Sequence, residues 1–401
     1  MSLKSMLRLL SFIFILFAFA LSSESVATAQ DARELTSYCN YSASSKSKLF
    51  RLTDGKTKQI YEGNKNKSNW IEISSPAGDN ICGLYILWKG YTSPVSLEVC
   101  PSGSHEYIPL GDINTTFLHE FIQLDHVSKI RLSSTDKKGS LPILELRVFG
   151  EGNPPEDVQV WQQHSDKNDL LVFVAHPDDE YIFLGGTIPY YCIEKKMQVV
   201  VCYMTCKDEF RLHELLNGLW CAGCHIYPEL LGFEDKLCSK LKTAYKYWDG
   251  IDNALDGVAA MLDRVQPDVV ITQDIKGEYG HGGHMAVADL CLRIIRDHER
   301  QLKHVPQKLY LHLWEENQLL LDWNTPYDSM NGKTPLSIAQ EAFACHISQQ
   351  GFSHETRGGK VFKFEVADHG MFDNGCFGLA YSSVGEDIDK NDFFEHVVTG
   401  N

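Results

Sequence analysis

The stretch Asp169-Leu-Leu-Val-Phe-Val-Ala-His-Pro-Asp-Asp-Glu180 decides how this 401-residue chain is read. Its first half is an apolar, β-rich run, the pattern of a strand buried on both faces. The run delivers His176, Asp178 and Asp179 to one turn, where Pro177 stiffens the backbone. An imidazole and two adjacent carboxylates at the end of a buried strand are costly unless a cation or a reaction uses them. A divalent metal is the usual relief for neighbouring aspartates. His plus Asp is half of a hydrolytic zinc site, which takes three protein ligands and keeps one position open for water.

Strand-like runs recur downstream at Gln198–Met204, Asp268–Thr272 and Lys308–Leu313. Helical stretches alternate with them, over roughly 182–195, 209–223, 252–265, 284–299 and 334–349. This alternation predicts an α/β fold, a mostly parallel sheet flanked by helices. Sites in such sheets lie beyond the carboxyl ends of the strands. The segment after Asp268–Thr272 ends at such a place. It reads Gly277-Glu-Tyr-Gly-His-Gly-Gly-His284 and leads into a helix. One of its histidines completes a His-Asp-His metal set, and the other stands beside it as acid or charge stabiliser.

Upstream the rhythm differs. Residues 38–150 alternate short β-type runs (Lys48–Leu52, Asn69–Ile73, Gly83–Lys89, Ser96–Val99, Lys129–Leu132, Ile143–Phe149) with turn clusters such as Asp54-Gly55. That predicts an all-β sandwich over 30–150. Gly150-Glu-Gly-Asn-Pro-Pro-Glu156 has linker composition, so 151–167 is read as a linker and 168–401 as the α/β domain. Residues 1–29 read as a signal peptide. Lys4 and Arg8 precede the apolar run Leu9–Leu21, and Ala27-Thr-Ala29 fits a cleavage site. The 13-residue run is short for a membrane span, so an exported chain without a mature transmembrane segment is expected. A net charge of −16 argues against nucleic acid and anionic membranes as partners. Twelve cysteines in an exported chain predict disulfides, with Cys82 and Cys100 as a candidate staple of the sandwich. Asn40, Asn66 and Asn114 head glycosylation sequons.

Ala175-His-Pro-Asp-Asp-Glu180 and Gly277-Glu-Tyr-Gly-His-x-x-His284 together resemble the LmbE/PIG-L family of zinc-dependent N-deacetylases, which includes N-acetylglucosaminyl-phosphatidylinositol de-N-acetylase. Arg211-x-x-Glu214, Ala344-x-His346-x-Ser348-Gln349 and the tail Phe377-Gly-Leu with Asn391-Asp-Phe-Phe394 extend the likeness toward the C-terminus. The resemblance implies Zn2+ held by His176, Asp179 and His284. It implies Asp178 as general base, and His281 as the group that stabilises the tetrahedral intermediate or protonates the leaving amine. Tyr279 would help polarise the amide carbonyl, and Arg211 would line the substrate pocket. Two departures stand out. Many relatives have Pro-Asp between the paired histidines where this chain has Gly282-Gly283, which implies a missing carboxylate behind His284. Thr205–Glu209 replaces a Gly-Glu-rich turn. The first domain resembles galactose-binding-like jelly rolls, which implies either a glycan ligand or a packing partner.

The chemistry of the residues agrees with that reading. Zinc polarises an amide carbonyl and lowers the pKa of water, and a carboxylate off the metal holds the proton. A two-carboxylate glycosidase needs a separation of ~5–9 Å, which adjacent residues rarely give. Cys221-x-x-Cys224 reads as buried or disulfide-linked rather than as half a zinc site. His346 either lines the cleft or packs on a helix face. Trp70, Trp88 and Tyr91 are a sugar-stacking surface or core. His213, His225, His312, His354 and His369 receive no role. The expected function is removal of acetyl from an N-acetylglucosamine-type sugar in a glycoconjugate or oligosaccharide. The alternatives are a degenerate glycan-binding protein and an amidase for another N-acyl amine.

Overall fold

Apolar and β-branched positions before residue 150 pair into strands, and those after it alternate with helices. The computed structural model describes residues 30–64, 67–114, 116–136, 139–206, 208–356, 358–368 and 370–399. The expected signal peptide, the Asn66 sequon and His369 lie outside them.

The first unit has seven antiparallel strands: β1 (Asn40–Ala43), β2 (Trp70–Ser74), β3 (Ile81–Trp88), β4 (Val95–Pro101), β5 (Ile108–Ile113), β6 (His119–Ser134) and β7 (Ile143–Phe149). Strand β6 runs 16 residues and serves two layers. Its second half lies between β2 and β4, with β1 and β5 outside them; its first half pairs with β3, which pairs with β7. The change of layer falls at His126, whose φ is 46°. Ile71, Ile73, Trp88, Leu97, Ile130 and Leu146 are buried together, which makes the unit sandwich-like. Lys48–Leu52 is not a strand. Lys48 sits at φ 60°, which breaks the extended line, and Leu49–Leu52 forms a 3-10 turn that buries Leu52.

The second sheet is mixed. Strands β8 (Asn168–Val174), β9 (Val199–Tyr203), β10 (Glu229–Leu230), β11 (Pro267–Thr272) and β12 (Lys308–His312) are parallel. The order β10-β9-β8-β11-β12 is then closed by two antiparallel partners, β16 (Cys376–Ser382) and β13 (Gln318–Leu320). Strands β14 (Ser353–Glu355) and β15 (Val361–Lys363) form a separate hairpin. The helices are α1 (Asp179–Ile182), α2 (Glu209–Cys221), α3 (Leu241–Tyr247), α4 (Ile251–Val265), α5 (Gly282–Cys291) and α6 (Pro335–Ala344). Asp208 caps α2 by accepting from the backbone of Phe210 and Arg211, and Thr334 and Ser337 form a capping box on α6. The helix expected over 182–195 is broken. Gly185 has φ 55°, and the segment continues as short turns ending in a π-helical turn, Tyr190–Glu194. No helix among the described residues is long and apolar enough to cross a membrane.

The segment 151–167 is docked rather than free. Val158 and Trp161 are buried, Gln162 N–H donates to His225 O, and Trp220 Nε1–H donates to Glu156 O. Its Gly-Pro composition marked it as a linker, and apolar burial holds that linker against the second unit. The first unit meets the second through Tyr91 Oη and Tyr227 Oη (3.1 Å) and, at α2, through His119 Nε2 and His213 Nδ1 (2.8 Å). Trp88 belongs to the core, while Trp70 and Tyr91 are exposed. All twelve cysteines are free thiols. The expected Cys82–Cys100 staple is not formed, because β3 and β4 do not pair and Cys100 Sγ–H donates to Ser104 O instead.

Candidate metal centre

Strand β8 runs out of the sheet at Val174, and the chain turns at once through His176-Pro-Asp-Asp into α1. Asp178 takes φ 108°, a left-handed conformation strained for a residue with a Cβ. Glu180, fully buried, holds that turn: it accepts from Asp178 N–H (2.8 Å) and from Tyr203 Oη–H (2.8 Å). Arg211, from the first turn of α2, donates through Nη2 to Pro177 O (2.6 Å) and stands 3.7 Å from Asp178 Oδ2.

The neighbouring strand β11 supplies the second loop. Two glycines shape it, Gly277 at φ 75° and Gly280 at φ 95°. The chain enters α5 with His281 as its cap, and His284 follows one turn later, fully buried. The two loops meet. Asp179 Oδ2 lies 3.0 Å from His176 Nδ1 and 3.3 Å from His284 Nε2. Ligands on a tetrahedral zinc with bonds of 2.0–2.2 Å stand about 3.4 Å apart, so this spacing fits the ion. His284 Nδ1 is engaged by Glu278 Oε2 at 2.6 Å. If Nδ1 carries the proton, the buried, unpartnered Nε2 faces Asp179 with a lone pair. Two facing lone pairs need a positive species between them. His176, His281 and His284 also each offer a ring nitrogen within 4.8 Å of the others.

Charges follow the same geometry. Burial, reinforced by the Asp179 charge, pushes the Asp178 carboxyl well above the usual range, while Arg211 pulls against the rise. Burial would raise Asp179 too, but His284 and His176 outweigh it and hold it low. His281 is pushed far down by burial and by the other two imidazoles. Its Nδ1 accepts from Gly283 N–H (3.2 Å), which leaves the neutral ring with its proton on Nε2.

Sequence reasoning missed three participants. Glu278 occupies the place behind His284 that Gly282-Gly283 was expected to leave without a carboxylate. It also holds His312 Nδ1 (3.0 Å), so His312 is a buried support for the loop rather than incidental. Asp235 stands 3.6 Å from His176 Nε2 and 3.2 Å from Arg211 Nη1. Glu278 had a signal, a carboxylate inside the glycine loop six residues before His284; Asp235 had none. Tyr279 lies over the centre, its ring 5.3 Å from that of His284 and 4.8 Å from that of His354 on the β14–β15 hairpin. His346 does not line this cleft. It is fully buried behind the turn, 3.5 Å from Glu180 Oε1, because α6 packs that face against α2.

Residues 171–295 match the family model described as PIG-L: GlcNAc-PI de-N-acetylase. The chain is 27% identical over 156 residues to a 1D-myo-inositol 2-acetamido-2-deoxy-alpha-D-glucopyranoside deacetylase of Frankia casuarinae, covering 32% of this chain and 51% of that one. It is 31% identical over 147 residues to the Rhodococcus erythropolis deacetylase of the same name, covering 29% and 49%. The chain thus spans about half the length of the curated relatives it matches. Among solved structures it is similar to the conserved protein TT1542 from Thermus thermophilus (TM-score 0.35, 19% identity, 45% of this chain and 80% of that one). It is also similar to the family 32 CBM from C. perfringens NanJ in complex with galactose (TM-score 0.25, 12% identity, 29% and 98%). With the His176–Asp179 turn and the His281–His284 loop brought together and the family model spanning both, residues 171–295 of this chain are a domain of the PIG-L (LmbE) family.

Proposed function

We propose that the protein is an exported, metal-dependent N-deacetylase that removes acetyl from an N-acetylglucosamine-type sugar in a glycoconjugate or oligosaccharide. The observation that carries the reading is Asp179 Oδ2 set between His176 Nδ1 and His284 Nε2, with the strained Asp178 beside it. His176, Asp179 and His284 would hold Zn2+. When bound, that ion supplies a Lewis acid for the carbonyl and lowers the pKa of water from 15.7 to about 7.

The chain's own residues do the rest. Asp178 takes the proton of the attacking water at a carboxylate oxygen, and a cation beside Asp179 opposes the rise in its pKa. Arg211 holds Pro177 and Asp178 in place and is itself held by Asp235, and the pair would line the sugar pocket. The neutral His281 ring would donate its Nε2–H as a hydrogen bond to the tetrahedral intermediate, and Asp178 would return the proton it took from water to the leaving nitrogen. Tyr279 covers the centre and limits water. Poor leaving by an amine makes this proton delivery as important as the attack. The sandwich, docked against α2, would add contacts to a larger glycan.

The test is a screen of N-acetylated amino sugars with the zinc-loaded protein, reading acetate release, alongside metal analysis. Close to one zinc per chain and acetate from N-acetylglucosamine-type sugars are expected. Sugar binding with no acetate released would leave a glycan-binding protein, and acetate from other N-acyl amines alone would move the substrate class.

A further inference from the structure

Helix α2 ends between two thiol pairs. Cys221, its last residue, faces Cys345, the residue that caps α6; the Cys345 Sγ–H donates to Glu341 O (3.7 Å). Just past the helix, Cys224 faces Cys192 of the π-helical turn Tyr190–Glu194, its own Sγ–H directed to Val199 O (3.5 Å). The segments pack closely at both places, backbone to backbone at the first and backbone to side chain at the second. A Cβ built on Gly218 would stand 3.1 Å from Ala342 O, one turn before each member of the first pair. One built on Gly223 would stand 2.5 Å from Ile193 Cγ1, adjacent to each member of the second. Cys192 and Cys224 line one surface cavity of about 220 Å³, and Cys221 and Cys345 are both partly exposed, so small oxidants reach either pair. The four sulfurs are not one metal cluster: among the described residues, the group within ligand reach is the histidine trio.

We propose that Cys221–Cys345 and Cys192–Cys224 close as two disulfide bonds, which bolt the end of α2 to α6 and to the π-helical turn. Cys221 and Cys224 thereby serve different partners, and the Cys-x-x-Cys spacing is not a redox pair. In each closure one thiolate attacks the disulfide of an oxidised dithiol carrier, and one carrier sulfur leaves and is protonated. The second cysteine thiolate then attacks the mixed disulfide and expels the other carrier sulfur. Two electrons and two protons pass from the cysteine pair to the carrier, which departs as a dithiol. The neighbouring Cys345 lowers the Cys221 thiol, which suits it to attack first. The first bolt lies on the seam already tied by Glu214, whose carboxylate accepts from Ser348 N–H (2.7 Å) and Oγ–H (2.5 Å). Helix α2 also carries Arg211, so the bolts fix the element that reaches the metal centre. Closing these loops restricts the unfolded chain more than the folded one.

The full chain, equilibrated with oxidised glutathione, is quenched with N-ethylmaleimide and mapped by mass spectrometry without reduction. Linked peptides joining 221 to 345 and 192 to 224 are expected, with an intact mass lower by four hydrogens and the other cysteines alkylated. Full alkylation of these four, or a 221–224 link, overturns the proposal. A reducing agent is expected to lower the thermal midpoint of the oxidised chain by several degrees, and to lower that of Cys345→Ser less. A wild-type midpoint indifferent to reductant overturns the bolt even if the peptides are linked. Zinc content reads the metal centre separately and is expected to be unchanged.

Discussion

Asp178 concentrates the cost of the site: a left-handed backbone, complete burial and a charged neighbour within one residue. Such strain persists only when the surroundings over-determine it, and Glu180, Tyr203 and Arg211 do so here. Asp178→Asn keeps the volume and the turn but cannot take a proton. It is expected to bind one zinc as before and to lose about 10²–10⁴-fold in acetate-release rate; an active variant would remove Asp178 from the base role. Glu278 acts one step away, fixing the His284 ring. Glu278→Gln is expected to weaken zinc affinity by roughly 10–100-fold, read by competition with a chelating dye. His176, Asp178, Asp179, His281 and His284 were legible because their chemistry is clustered in two short motifs on loops that follow strands. Glu278, Asp235 and His312 were not, because what selects them is which ring or guanidinium they face across the fold.

At the scale of elements, α5 starts where it does because Gly282 lets the chain pass Lys240. A Cβ there would stand 2.7 Å from Lys240 O and 2.7 Å from Cys238 Sγ. Gly282→Ala is expected to shift the His281–His284 turn, cost about 1–3 kcal/mol in denaturant unfolding and reduce bound zinc. Away from the site, β12 buries Lys308, whose ammonium is paired with Asp387; Tyr310 Oη–H also donates to Asp387 (2.7 Å). Removing one member strands the other charge. Asp387→Ala is expected to cost roughly 3–5 kcal/mol, measured as a fall in urea midpoint. Hydrophobic periodicity placed α2, α4, α5 and α6 well. It failed for Lys48–Leu52 and for 182–195, where single left-handed residues, Lys48 and Gly185, interrupt elements whose side-chain pattern is otherwise continuous.

Across the whole molecule, a chain of hydrogen bonds joins the sandwich to helix α2 of the second unit. Tyr85 Oη meets His119 Nδ1 (3.2 Å), His119 Nε2 meets His213 Nδ1 (2.8 Å), and His213 Nε2 meets Lys89 O (3.3 Å). Each ring can play its part only when neutral, with one donor and one acceptor. Burial lowers the pKa of both, and the His213 imidazole lowers that of His119 further. A depressed histidine contributes stability that is fully present above its unfolded value, about 6.5, and lost as pH falls toward the folded value. The thermal midpoint of the wild type is therefore expected to drop between about pH 6.5 and 5. A double variant, His119→Gln with His213→Gln, should drop less; equal slopes would show that the junction does not sense acid. The sequence by itself determined the alternation of a β-rich first half and an α/β second half, and the residue types at two strand ends. Those follow from local periodicity and from chemistry packed into short spans. Only the tertiary structure decided the carboxylate behind His284, the burial of His346 and the docking of segment 151–167. These depend on contacts between residues far apart in the chain, where spacing along the sequence carries no distance in space.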